Sequence, residues 1–184
     1  MIIAIIPAKG TSTRLPNKNM IEILGRPMIY YTINYAKKSS FINDIYVSTD
    51  QQKIKEYCQT LGIKTIHRPI DLCGETPIID VYRHAYMQLK DKLEIKTMIG
   101  LQPDHPDRTL ILDDVIKLFQ KKQVHELTSC ELNKKKNGAH YILSKEVLLG
   151  KDPLTTYQII DDCTNVHFKE DLKIAEKNIL NFDA

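Results

Sequence analysis

The sequence has little charge of either sign to spare. Its 26 Lys and Arg stand against 23 Asp and Glu, a formal charge of +3. It therefore lacks the overall basic excess of a dedicated nucleic-acid binder, and any phosphate binding must be local. Long hydrophobic runs are also missing. The apolar run at the start, MIIAII, is six residues long and has no basic flank, too short for a signal h-region or a membrane span. A cytoplasmic protein with no membrane partner is expected. The four cysteines, Cys58, Cys73, Cys130 and Cys163, are scattered without metal-ligand spacing or disulfide-rich character, which points to reduced, buried thiols. No internal repeat, low-complexity tract or long linker occurs.

What is present is the makings of one α/β domain over residues 1–184. A hydrophobic fraction of 42% over 184 residues suffices for a single continuous core. Ile2–Ile6, closed by Pro7 and Gly10, reads as a fully buried strand of a parallel sheet. A helix is expected over 26–38, with Pro27 in its first turn. DIYVSTD, residues 44–50, then reads as strand and cap before a helix over 51–61 that Gly62 ends. Strands over 63–67 and 97–101 alternate with helices over 77–89 and 110–122. This alternation predicts a three-layer sandwich, a mostly parallel central sheet with helices on both faces. Beyond Thr128 the pattern changes to ELTSCEL, a basic loop at 134–136, HYILS and a last helix near 169–180, which suggests antiparallel or edge strands and a helix docking back on the sheet.

The loop after the first strand, PAKGTSTRLPNKN, gathers Lys9, Arg14 and Lys18 with Gly10 and several hydroxyls. In an open α/β sheet that position is the ligand crevice, and a triphosphate needs close backbone amides and flexible cations. Its spacing is neither a Walker A loop nor a Rossmann glycine fingerprint. The residues alone leave a solvated connection equally open.

IIAIIPAKGTSTRLPNKN, followed in order by GRPMIYYTI, DIYVSTD, HRPIDLCGETPIIDV, LQPDHPDRT, KNGAHYIL and EDLKIAE, resembles the acylneuraminate cytidylyltransferases and their relatives acting on 3-deoxy-manno-octulosonate. The resemblance covers essentially the whole chain. It implies a Rossmann-like fold of the nucleotide-diphospho-sugar transferase type, with a nucleotide-binding part over about 1–125 and an acceptor side over about 126–184. It also implies CTP and an acidic sugar as partners, and Mg²⁺ as cofactor.

By the same resemblance, Lys18 and Asn19 contact the nucleotide and Lys9 faces the phosphates, with Ala8, Gly10, Ser12 and Arg14 in the same loop. Arg68 and Gln102 match positions that read the cytosine; without the resemblance, a surface ion pair and a satisfied edge amide are as good a reading. Asn137 and Tyr141 match residues lining the acceptor pocket. Arg108, at the family's proline-arginine position, is placed on the acceptor side or as a structural or phosphate-side cation. Asp104 stands where the sialate branch has threonine and the octulosonate branch a magnesium-holding aspartate; the alternative is an Asx turn between two prolines. Lys18, Arg14 and Asp104 are the catalytic candidates.

Two departures stand out. Where the family shows two acids near its Glu-Asp-Leu, this sequence has Asn165 and His167, and imidazole is a poor ligand for Mg²⁺. Asp162, with Asp161 beside it, and His167 remain candidates beside Asp104. The dimer-forming arm that sialate enzymes insert between Cys130 and Asn137 is nearly absent, which puts the usual dimer and the usual acceptor in question. Three readings follow: CMP transfer from CTP to an acidic sugar, the same chemistry on a phosphonate or polyol phosphate, and a degenerate homologue that binds nucleotide without turnover.

Overall fold

The computed structural model describes residues 1–12 and 14–182. In chain order the elements are β1 (Ile2–Pro7), β2 (Glu22–Ile23), β3 (Arg26–Pro27), α1 (Met28–Lys37), β4 (Asp44–Thr49), α2 (Gln52–Thr60), β5 (Lys64–His67), α3 (Ile78–Leu89), β6 (Thr97–Gly100), α4 (Leu112–Lys122), β7 (Glu126–Cys130), β8 (Lys136–Ser144), α5 (Lys145–Leu148), β9 (Thr156–Ile160) and α6 (Lys169–Phe182).

Seven strands form one sheet in the order β5-β4-β1-β6-β8-β7-β9. β1 pairs in parallel with β4 and β6, β4 with β5, and β7 with β9, while β8 lies antiparallel between β6 and β7. Successive residues of β1 serve opposite faces, as strand geometry requires. Ala4 and Ile6 join Ile29 and Ile33 of α1, Ile54 of α2, and Val115 and Ile116 of α4. Ile3 and Ile5 join Tyr82 and Ala85 of α3 and Val147 of α5. The expected three-layer sandwich is therefore present, and all four cysteines are free and buried.

Several local readings change. The segment expected to open the first helix at Arg26 instead closes a small hairpin with Glu22–Ile23. Leu24 and Gly25 turn it with φ of 49° and 74°, the doubly left-handed geometry of a tight hairpin. The helix expected from Leu110 begins at Leu112, because Ile111 is extended. Lys136 belongs to β8 rather than to a basic loop. The edge strand β9 goes unread in the sequence; its five residues, TYQII, alternate between exposed and half-buried.

β1 is the switch point: the chain leaves it toward β4 on one side and β6 on the other. Loops leaving neighbouring carboxyl ends diverge there and open a crevice. Segment 161–168 and α6 close that edge. Val166 is fully buried with Leu15, Ile23, Met28, Ala175 and Ile179, so the end of the chain packs directly on the loop after β1.

Gly100, at the end of β6, is required sterically, since a Cβ there would overlap the Tyr82 ring, itself fully buried. Gly100→Ala should cost about 1–3 kcal/mol, the usual penalty of overpacking. Urea unfolding checks this; an unchanged midpoint would show that Tyr82 can move aside.

Candidate active site

Two adjoining cavities at the carboxyl edge share Lys9, Lys18, Asn19 and Asp104. One continues past Arg68, Gly74, Thr76 and Gln102. The other continues past Ser12, Arg14, Glu75 and His167. The fold thus gathers most of the residues expected to handle nucleotide.

At the junction the Lys18 ammonium donates to Asp104 Oδ2 at 2.7 Å and to the Val166 carbonyl at 3.0 Å. The Lys18 and Asp104 side chains are only 16% and 14% exposed. Burial would raise the Asp104 pKa, yet it lies below its ordinary value because of nearby positive charge. That charge comes first from His105, whose Nε2 lies 3.8 Å from Oδ1, and then from Lys18. Because burial pushes the His105 pKa down to about 4, the positive charge that stands beside Asp104 at neutral pH is the Lys18 ammonium. Asp104 Oδ1 is buried without a hydrogen-bond partner, as are Asn19 Oδ1 and Asn165 Oδ1. Buried acceptors left open in a cleft are places for a ligand or ion to bind.

The loop after β1 is held from below. Asn19 is buried and donates to the Lys9 carbonyl at 2.9 Å. The Gly10 amide, expected to face phosphate, instead donates to Asp50 Oδ1 at 2.8 Å, and a Cβ on Gly10 would press on Gln51. Asp50 therefore anchors this loop rather than capping the following helix, where no side-chain cap bond forms. Ala8 is buried beneath the cleft, and Arg14 is exposed at its rim. Arg68 is buried and spends one guanidinium edge on the Leu72 carbonyl. Gly138, with φ of 84°, lets the Gln102 amide pass where a Cβ would collide.

The three acceptor-side residues are not gathered into this cleft. Arg108 donates to the carbonyls of Gln102, His105 and Ala139 and to the Thr32 hydroxyl, which makes it a structural clamp. Asn137 is buried, accepts from Ser129 Oγ and the Ala139 amide, and donates to the Asp161 carbonyl, so both ends of its amide are engaged inside the fold. Tyr141 is half-buried with its ring against Tyr82.

The metal candidates separate as well. Asp162 is exposed and lines neither cavity. Asp161 is buried and accepts from the Thr109 amide and hydroxyl. His167 does reach the cleft. Among the described residues no group of three His, Cys, Asp or Glu side chains could hold a metal ion.

Asp107 went unread in the sequence. It is buried and accepts from the Thr164 amide at 2.9 Å, the Thr164 hydroxyl at 2.6 Å and Asn178 Nδ2 at 2.7 Å. It pins segment 161–168 and α6 to the loop that carries Asp104. These partners lie 57 and 71 residues away, a separation that no local pattern reports.

A cytidylyltransferase family profile matches residues 3–146. The chain belongs to the cytidylyltransferase family. It is 38% identical over 71 residues to a 3-deoxy-manno-octulosonate cytidylyltransferase of Bdellovibrio bacteriovorus, a match covering 39% of this chain and 29% of that protein. It is 43% identical over 93 residues to an N-acylneuraminate cytidylyltransferase of Streptococcus agalactiae, covering 50% and 21%. The matches thus span less than a third of these two relatives. The fold aligns with a CMP:2-keto-3-deoxy-manno-octonic acid synthetase structure complexed with CTP at a TM-score of 0.79 and 16% identity, over 98% of this chain and 99% of that one. The fold is therefore of the nucleotide-sugar transferase type. Among the described residues no helix is long and apolar enough to cross a membrane.

Two predictions follow from the polar groups beneath the cleft. Arg108→Met should cost about 3 kcal/mol or more, since each buried carbonyl left unpaired costs about 1–3 kcal/mol. Thermal unfolding measures it, and a near-wild-type melt would contradict the clamp. The second concerns pH. Burial drives the His140 pKa well below 6.5 and that of His105 down to about 4. Between those values and 6.5 the unfolded chain binds protons that the folded chain refuses, so stability falls as pH drops below about 6.5. The slope should reach about 1.4 kcal/mol per pH unit for each imidazole. Asp161, raised by burial, opposes this nearer the carboxylate range. Urea titrations from pH 8 to 5 test the slope; a flat profile would mean the two rings charge freely.

Proposed function

We propose that the chain catalyses transfer of CMP from CTP to an acidic sugar, with release of pyrophosphate. The observation that carries this reading is the cleft at the sheet's switch point, where Lys9, Arg14 and Lys18 line one cavity with Asp104, a buried carboxylate that Lys18 holds. A triphosphate laid there meets three cations. The names of the relatives support the acceptor class: octulosonate, N-acylneuraminate and, for a Campylobacter jejuni relative, pseudaminic acid.

Such a transfer needs no covalent enzyme intermediate. An acceptor hydroxyl oxygen attacks the α-phosphorus in line and loses its proton to water, the bond from phosphorus to the bridging oxygen breaks, and pyrophosphate leaves with that electron pair. The chain's task is to align these atoms and offset the charge that builds on the phosphate oxygens. Lys18, on the short helical turn 18–20, and Lys9, at the mouth of β1, are placed for the second role. His105 does not serve as a base, since both ring nitrogens lie against carbonyls, those of Thr164 and Asn137, inside the fold.

The residues present fit Mg²⁺ through one carboxylate. Asp104 offers a hard oxygen with an open buried lone pair, and the remaining ligands would be phosphate oxygens and water, as is usual for this ion. Bound there, Mg²⁺ would supply charge neutralisation between phosphate oxygens. His167 nitrogen does not suit it.

That Asp104 is, among the described residues, the one buried carboxylate lining the cleft also keeps a second reading alive, nucleotide binding without turnover. Pyrophosphate release from CTP with Mg²⁺, over a panel of acidic sugars, phosphonates and polyol phosphates and with ATP, GTP and UTP as controls, separates the two. CTP-selective turnover is expected, reduced by about 100-fold or more in Asp104→Asn, the size seen when a transition-state charge partner is removed. Binding of CTP with no turnover on any acceptor would establish the non-enzyme reading. Turnover on a phosphonate or polyol phosphate alone would move the acceptor class.

A further inference from the structure

The ion pair at the centre of the cleft carries an inference that rests on the CTP reading. The Lys18 ammonium sits on a carboxylate oxygen of Asp104 and on the Val166 carbonyl. Carboxylate and carbonyl oxygens are the donors that a hard divalent cation takes. We propose that Lys18 is a resident cation that holds Asp104 until a nucleoside triphosphate and its divalent cation arrive together, so that metal entry depends on nucleotide.

Three observations support this. Both side chains are largely withdrawn from water, so salt screens the pair weakly. The second oxygen, Asp104 Oδ1, is buried without a hydrogen-bond partner, leaving an oxygen donor that the lysine does not satisfy. The strap, segment 161–168, supplies no negative charge at positions 165 and 167. Lys18 and Asp104 then cancel, and a free divalent cation would have to displace an ammonium with no phosphate to receive it.

A triphosphate changes that balance. Its oxygens accept the Lys18 ammonium beside Lys9 and Arg14, which line the same cavity. The Asp104 carboxylate is released at the moment a cation is delivered with the phosphates. The exchange conserves charge on both sides.

Mn²⁺ serves as the probe, with free and bound ion separated by electron paramagnetic resonance on the full chain. Wild type should take up no Mn²⁺ alone and one ion per chain once CTP is present. Lys18→Met should bind Mn²⁺ without nucleotide, about tenfold or more tighter than wild type, the scale on which groups neighbouring a ligand alter metal affinity. Adding Asp104→Asn should abolish that gain, and Lys18→Arg should behave as wild type. The proposal is overturned if wild type binds Mn²⁺ alone as tightly as with CTP, or if folded Lys18→Met gains nothing. Should Lys18→Met not fold, the paired wild-type titrations decide. CTP failing to bind at all would remove the CTP reading, and this inference with it.

Discussion

One ammonium group joins three stretches of chain that are remote in sequence. Lys18, on the loop after β1, reaches Asp104 on the loop after β6 and Val166 on the strap before α6, 86 and 148 residues away. The strap in turn returns its Val166 amide to the Asp104 carbonyl at 2.9 Å. A buried carboxylate is tolerable only with a charge partner and hydrogen bonds. This constraint dictates that the strap must close on the sheet edge before the cleft exists at all.

The surroundings are built to hold that arrangement still. Below Asp104, Arg108 gathers carbonyls from its own loop and from β8. Asp107 fastens the strap and α6 from the other side. Because α6 also packs through Ala175 and Ile179 onto Ile23 and Met28, the apolar and polar contacts of the C-terminal segment converge on the same loop. Segment 161–168 is therefore the one that positions the loop after β1. The connection between β7 and β8 is a tight turn with Lys134 at φ of 67°.

Much of this was legible from sequence, for identifiable reasons. β1 and β4 are short apolar or β-branched runs bounded by turn residues, and α2 ends at a glycine with φ of 67°, so local pattern decides them. Lys9, Lys18, Asn19, Arg68, Gln102 and Asp104 were found through an ordered series of short motifs, and the structure brings all six to one cavity. β9 escaped because its residues alternate weakly at an edge. Arg108, Asn137 and Asp161 were expected near substrate or metal yet turn inward. A polar side chain reads the same in sequence whether it meets a ligand or a buried carbonyl, and only long-range packing chooses. The same limit hid Asp107 and reassigned the Gly10 amide to Asp50.

The claim on which the rest hangs is that this cleft selects CTP. Isothermal calorimetry of CTP, UTP, ATP and GTP into the protein with Mg²⁺ tests it most directly. The account predicts one CTP per chain, bound more tightly than the other three and weakened by salt, since Lys9, Arg14 and Lys18 carry the phosphate contact. Equal affinity for all four nucleotides, or no heat with CTP, would contradict it.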